Sequence, residues 1–411
     1  MSDDATPTTV HPDAAAEAAV LGTMLLSKNF AQDAAEELVP TDFCMPAHRT
    51  VFATIQKLLS SRLPVDGVTV AEQLREDGHL KDVGGVPFIH ALLEGAPAID
   101  QAADLLEAVR RKAVLRGDRQ EPASAPSLRD VFTDALEVIE RQHVEHREVT
   151  GVPTGFAELD RLTSGLQPGN LIVIASRPSV GKTTLALDFA RHAAIRAKVP
   201  TLVCSLESSR TEIMQRLICA SSTVDQQRFR TARMENGDWT RVTRSLGPLA
   251  DAPLYIDDSV AFSIATIRTK AKRMSREHGL GLLIVDPLQA LLPFRPVENL
   301  YEQASYSVRG LKVIARELQI PVVAVSQLSR QPEVRSDRRP LLSDLRDTGT
   351  LEDTADLIIF IYRDELYDPE TPRRGEADLI LAKHRNGPTD IVTVTFQGQY
   401  SRFAPMASRS T

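Results

Sequence analysis

The spacing of hydrophobic positions changes near residue 150. Before that point apolar residues recur every three or four positions, as in DAAAEAAVLGTMLL and HRTVFATIQKLLSS, which predicts helices throughout residues 13–116. GVTVAEQLREDG predicts a helix with Thr69 as its cap and Gly78 as its stop, and AADLLEAVRRKAVL a further amphipathic one. RGDRQEPASAPS, residues 116–127, is polar and proline-bearing and reads as a linker. One more amphipathic helix is expected at 128–142, with Leu128, Val131, Phe132, Ala135, Leu136 and Ile139 along one stripe. That stripe fits either packing on its own domain or docking on a neighbouring subunit.

Beyond residue 150, short β-branched runs alternate with helical stretches: NLIVIAS, TLVCSLE, PLYIDD, LGLLIVD, IPVVAVSQ, ADLIIFIYRD, ADLILAKHR and IVTVTFQG. Such alternation predicts an α/β domain, a mainly parallel sheet covered by helices, over 151–405. No helix separates the last two runs, so they predict a C-terminal antiparallel hairpin. The expected layout is a disordered tail at 1–12, a small all-α domain at 13–116, a linker with one helix at 117–150 and the α/β domain.

Composition adds boundaries to this picture. A chain of 411 residues exceeds one typical domain. A hydrophobic content of 42% with 25% charged residues is ordinary for a globular protein, and no apolar stretch is long enough to span a membrane. The opening MSDDATPTTVHPD is unlike a signal peptide, so a cytoplasmic location is expected. Cys44, Cys204 and Cys219 lie far apart, and nine scattered histidines show no ligand spacing; neither a disulfide framework nor a zinc site is indicated. A net charge of −7 means that any nucleic-acid contact must come from local patches or from symmetry that concentrates them.

The most specific chemistry lies in NLIVIASRPSVGKTTLALDFARHAA. A strand ends at Ser176, a tight loop containing Ser179 follows, and a helix begins near Gly181. Backbone N–H groups of such a loop cradle phosphates. Lys182 would reach the β- and γ-phosphates of ATP, and the Thr183 hydroxyl, followed by Thr184, would meet Mg²⁺. The strict motif asks for glycine where Ser176 stands, and a chance GKT remains the bland alternative. Other strand ends agree with the motif, because ligands of open α/β sheets sit beyond the carboxyl ends of the strands. Asp286 ends one strand, where it would orient Mg²⁺; Glu207 ends another, suited to polarising a water; Ser326-Gln327 ends a third. Glu207 also has a structural reading, as support for a helix begun by the Ser209…Glu212 capping-box spacing.

Near the end of the chain, alternation puts Lys383 and Arg385 on one strand face with His384 opposite. Two adjacent cations repel each other and call for an anion. SRQPEVRSDRRPLLSDLRDTGT, residues 329–350, holds five arginines among several acids and no aromatic residue. Alone it is indistinguishable from a solvated surface loop.

SRPSVGKTT, SLESS, GLLIVDPLQ, VSQLSR, RRPLLSDLRDTGTLEDTADLIIFIYRDE and AKHRNGP resemble, in order, the motifs of the DnaB-type replicative DNA helicases, whose motor is a RecA-like ATPase. AAVLGTML, DFCMPAHRTVF and GGVPFIHALL resemble that family's N-terminal domain. The resemblance implies an ATP- and Mg²⁺-dependent hexamer moving 5′→3′ on single-stranded DNA. It implies Glu207 as catalytic base, Gln327 as γ-phosphate sensor and Arg216 as a nucleotide contact, although a solvated helix arginine is the plainer reading of Arg216. Lys383 and Arg385 would reach the ATP of the adjacent subunit, and Arg346 with the backbone around Asp347 and Gly349 would grip DNA phosphates. Primase and a loader are implied partners. The family's long helical hairpin before the linker has no counterpart in this sequence, which bears on collar formation and primase binding. Pro287 stands where the family commonly has an aromatic residue. A recombinase-like ring ATPase without unwinding, or an accessory paralogue, are the competing readings.

Overall fold

The computed structural model describes residues 12–116, 149–259, 262–292, 300–345 and 349–406. The N-terminal tail, the helix anticipated at 128–142, and Arg346 and Asp347 lie outside them. The described residues fall into two compact units, with the division near residue 132.

The first unit is helical: α1 (Pro12–Leu26), α2 (Lys28–Glu37), α3 (Pro46–Ser60), α4 (Gly67–Glu76), α5 (Gly85–Glu94) and α6 (Ile99–Arg116). The three-and-four spacing buries one stripe of each helix, as in Val51, Phe52, Ile55 and Leu58 of α3. The cap of α4 corrects the sequence expectation. Asp66, not Thr69, caps the helix, accepting Val68 N at 3.0 Å and Thr69 N at 2.8 Å. A carboxylate one turn earlier satisfies two orphan donors that Thr69, already inside the helix, cannot reach. Gly78 does follow the helix end, at φ +80°. Buried Glu17 accepts hydrogen bonds from Cys44 N at 2.6 Å and Met45 N at 3.3 Å and pairs with His48 at 2.8 Å. Burial opposes its charge, but these bonds outweigh it and hold the carboxyl below its ordinary value.

The second unit contains α7 (Ala157–Thr163), β1 (Leu171–Ser176), α8 (Lys182–Ile195), β2 (Thr201–Ser205), α9 (Arg210–Ser222), α10 (Gln226–Arg230), α11 (Asn236–Ala250), β3 (Leu254–Asp257), α12 (Ile264–His278), β4 (Leu282–Asp286), α13 (Leu300–Leu318), β5 (Val322–Gln327), α14 (Gln331–Val334), α15 (Gly349–Thr354), β6 (Leu357–Tyr362), β7 (Glu376–His384), β8 (Ile391–Gln397) and β9 (Arg402–Pro405). They build one sheet in the order β3-β2-β4-β5-β1-β6-β7-β8-β9. The six strands from β3 to β6 run parallel; β7, β8 and β9 are antiparallel. Period-two alternation splits each central strand between two cores. Ile172 and Ile174 pack with Leu185 and Phe189 of α8, whereas Leu171, Val173 and Ala175 face Leu311 and Ile314 of α13. Apolar demand on both faces explains why these strands read as continuous hydrophobic runs. Among the described residues no helix is long and apolar enough to cross a membrane.

Candidate functional site

The loop between β1 and α8 is fixed by two left-handed residues, Ser179 at φ +65° and Gly181 at φ +123°. A side chain at Gly181 would have its Cβ 2.8 Å from the Phe403 ring, so glycine is required there for space as well as conformation. Ser176 does not disturb the loop: it is buried, and its hydroxyl donates to Arg177 O at 2.9 Å. Lys182, Thr183 and Thr184 open α8, where Gly181 supplies no side chain to cap the free N–H groups. Those donors and the helix dipole are left for an anion.

Neighbouring strands bring the acids to this loop. Ser205 at the end of β2 pairs with Asp286 at the end of β4, and Leu206 N donates to Asp286 O at 2.8 Å. Glu207 therefore stands exposed just beyond Asp286. The Ser205 hydroxyl clasps this turn, accepting Ser208 N at 3.2 Å and donating to Ser208 O at 2.7 Å. Burial raises the pKa of Asp286; Thr183, Lys182 and Arg216 pull the other way, while the Glu207 charge adds to the rise. Lys182, Thr183, Glu207, Arg216 and Asp286 thus share one electrostatic neighbourhood. Asp286 Oδ1 is buried with no hydrogen-bond partner. A bare carboxylate oxygen beside a threonine hydroxyl fits a hard cation and its water shell, so the residues present suit Mg²⁺.

Arg216 is half-buried, not solvated, and donates to Glu212 at 2.6 Å. The capping box at Ser209 is half formed: its hydroxyl accepts Glu212 N at 3.2 Å, while the Glu212 carboxylate turns to Arg216. Gln327 ends β5 in register with Ser176 and shares a pocket with Arg177 and Pro178 of the loop. Ser326 is buried and accepts from Gln289 at 2.9 Å.

Several supporting residues escaped sequence reasoning. Phe396 and Phe403, with ring centroids 4.9 Å apart, wall the loop at Gly181. Buried Arg363 lies 3.7 Å above the Phe396 ring and donates to Val180 O at 3.4 Å. Asp188 on α8 accepts Phe403 N at 2.6 Å and so ties β9 to the phosphate-loop helix. These partners come from strands about two hundred residues away, and no motif announces them. Arg177, in the loop itself, donates to Leu328 O at 2.9 Å and to Glu333 at 2.8 Å, linking the loop to the segment after β5.

Lys383 and Arg385 sit elsewhere. Antiparallel β7 brings His384 opposite Leu357, which in turn pairs with Ile172 near the start of β1. The step from Ile172 to Ser176 alone is ~13 Å along the strand, so both cations lie at the end of the sheet away from their own phosphate loop. They do share a face. Lys383 donates to Glu352 O and Asp353 O, and Arg385 donates to Asp353 O at 3.2 Å and Asp356 Oδ1 at 3.0 Å, while His384 turns to Pro388 O. Burial and the adjacent Arg385 charge hold the Lys383 ammonium below its ordinary pKa. Gly349 begins α15, the short helix whose last carbonyls hold these two cations.

Two family models match the chain: the DnaB-like helicase N terminal domain over residues 11–111, and the DnaB-like helicase C terminal domain over residues 151–405. The chain belongs to the DnaB-like helicases. Among relatives of this family, the replicative DNA helicase DnaB of Leifsonia xyli subsp. xyli (strain CTCB07) is 42% identical over 442 aligned positions, covering 99% of this chain and 97% of that protein. That alignment is longer than the 411 residues here, so the relative carries residues without a counterpart. The replicative DNA helicase DnaB of Geobacillus stearothermophilus is 34% identical, covering 96% of this chain and 94% of its own. A solved structure of a DnaB-like replicative helicase, described with its interactions with primase, superposes with a TM-score of 0.64 at 31% identity, covering 95% of this chain and 99% of that one. The ATPase domain of G40P superposes at 0.66 with 36% identity, covering 69% of this chain and all of that one. The family fixes the fold as a RecA-like domain with an antiparallel C-terminal extension, preceded in the chain by a helical domain, as the resemblance implied.

Proposed function

We propose that this DnaB-like chain is a replicative-type DNA helicase that couples ATP hydrolysis to 5′→3′ movement along single-stranded DNA and to strand separation. One observation carries the site assignment: Lys182, Thr183, Glu207 and Asp286 converge beyond the carboxyl ends of β1, β2 and β4. Near full-length similarity to replicative helicases favours this reading over a recombinase-like ring or an accessory paralogue.

In this reading the loop from Ser179 to Gly181 and the α8 N-terminus hold the phosphates, with Lys182 neutralising the β- and γ-groups and Thr184 beside them. Asp286 and Thr183 would hold Mg²⁺, which when bound offsets charge on the phosphate oxygens. Glu207 accepts the proton of the attacking water, and Arg216 holds the nucleotide from the helix that follows. Gln327 registers the γ-phosphate at the root of the segment that Arg177 also grips. Arg346 and the backbone around Asp347 and Gly349 contact DNA phosphates, a mode that carries no sequence information and weakens with salt.

Lys383 and Arg385 act on the ATP of the adjacent subunit in a hexamer. Their seat at the far end of the sheet supports this, since they face away from their own loop. The short α15 connects the two ends of the process: it starts at Gly349 in the DNA-contacting stretch and finishes on the carbonyls that hold both cations. Primase and a helicase loader are the proposed protein partners.

The test is ATP-dependent strand separation on a forked duplex with a free 5′ tail, with Lys182→Ala as the blank. Unwinding that disappears in the blank supports the helicase. DNA-stimulated hydrolysis without unwinding would instead make the chain a translocase or accessory ring.

A further inference from the structure

A second cationic recess lies at the opposite end of α8 from the phosphate loop. The carboxyl half of α8, the end of α9 and the middle of α11 line a half-open recess of about 420 Å³, within the size range of small-molecule sites. Arg191, Arg196, Arg241 and Arg244 line it with His192 and Ser221, and no carboxylate does. Arg196 is ~20 Å along α8 from Lys182, so the recess is separate from the nucleotide site.

The charges there are under-compensated. Arg191 pairs with Asp188 at 2.7 Å and Arg241 pairs with Asp238, but the Asp188 carboxylate also serves Phe403 N. Arg196 and Arg244 are exposed and form no ion pair among the described residues. Two polar atoms in the walls, Arg191 Nε and Ser221 Oγ, are buried without a hydrogen-bond partner. Buried polar atoms of folded proteins are nearly always satisfied, so both atoms are exceptions in the walls behind the arginines. Burial lowers the pKa of His192; the Asp160 charge pulls it back up, and Arg191 and Arg196 push it down again.

We propose that this recess binds a free phosphate-bearing ligand of nucleotide size, a nucleoside di- or triphosphate, whose phosphates lie between Arg196 and Arg244 and accept from these guanidinium groups and that of Arg191. Multiply charged phosphate oxygens match the arginine donors in geometry and sign.

Calorimetric titration of inorganic pyrophosphate, and separately of ATP, into the full chain carrying Lys182→Ala measures the site with the phosphate loop disabled. Binding of one equivalent, weakened about tenfold or more when Arg196→Glu and Arg244→Glu are added, is the expected result. Arg244→Ala alters one exposed side chain and should weaken pyrophosphate by a smaller factor, which guards against a folding defect in the charge-reversed chain. Affinity unchanged by all three substitutions, or no binding to the Lys182→Ala chain, overturns the proposal. So does loss of single-stranded DNA binding on charge reversal with pyrophosphate affinity intact, which would make this face a DNA-backbone track.

Discussion

At the carboxyl ends of β1, β2 and β4, bare acids gather around a helix N-terminus: Asp286 is 8% exposed and one of its oxygens lacks a partner. At the amino end of β6 the arrangement is reversed. Lys383 and Arg385 rest on the last carbonyls of α15 and on Asp356, and the Arg385 side chain is 49% exposed. One end is short of cation charge for a phosphate, and the other holds cation charge loosely, on neutral carbonyls and a single shared carboxylate. The sheet itself separates them, and in the proposed mechanism the cations of one subunit complete the site of a second copy stacked amino end to carboxyl end.

The largest predicted effect is on the amino end. Arg385→Ala should bind ATP normally yet hydrolyse it roughly 10³-fold more slowly, measured by nucleotide binding and turnover on one preparation. Normal turnover would remove the finger from the mechanism. At the carboxyl end, Glu207→Gln should lower single-turnover hydrolysis by about 10²-fold or more with ATP binding retained, as expected for loss of a general base. Proportional loss of binding and turnover would make Glu207 a structural residue.

Asp356 sharpens the comparison through stability. It is buried, accepts Leu171 N at 2.8 Å and Lys312 Nζ at 2.5 Å, and holds Arg385. Asp356→Ala leaves the Lys312 charge uncompensated and should destabilise the ATPase unit by ~3 kcal/mol in denaturant unfolding. A change under about 1 kcal/mol would show that Lys312 finds water instead.

The smallest effect concerns pH. Burial pushes the Asp188 carboxyl up to about 6 despite Arg191. A raised folded-state pKa means that the protonated form is favoured by folding. Its contribution is therefore complete below the ordinary carboxylate range and is lost as pH rises through about 6. Relative to Asp188→Asn, the native chain should lose on the order of 2 kcal/mol between about pH 4 and pH 7, read from paired melting curves. A pH-independent difference would contradict this.

How legible these features were in the sequence depended on whether a residue's partners were local. Strands β1 to β8 were readable because burial on one or both faces forces β-branched runs such as LIVIAS and LLIVD. β9 was not: RFAP is four residues long and ends in proline, and its place is set by Asp188 and by contact with Gly181. The phosphate loop was visible because a tight turn and a helix start constrain consecutive residues. Arg363, Phe396 and Asp188 were invisible because their reasons lie in strand order. The cation pair at 383 and 385 was visible as an alternation, but its position at the far end of the sheet required the antiparallel turn of β7.

The most direct test mixes two inactive chains. Lys182→Ala lacks a working phosphate loop but keeps its finger; Arg385→Ala has the reverse. Hydrolysis by each variant alone should be near background, while co-assembled rings contain interfaces where an intact loop meets an intact finger, so turnover should rise well above either. A mixture no more active than its components would contradict action across the subunit interface.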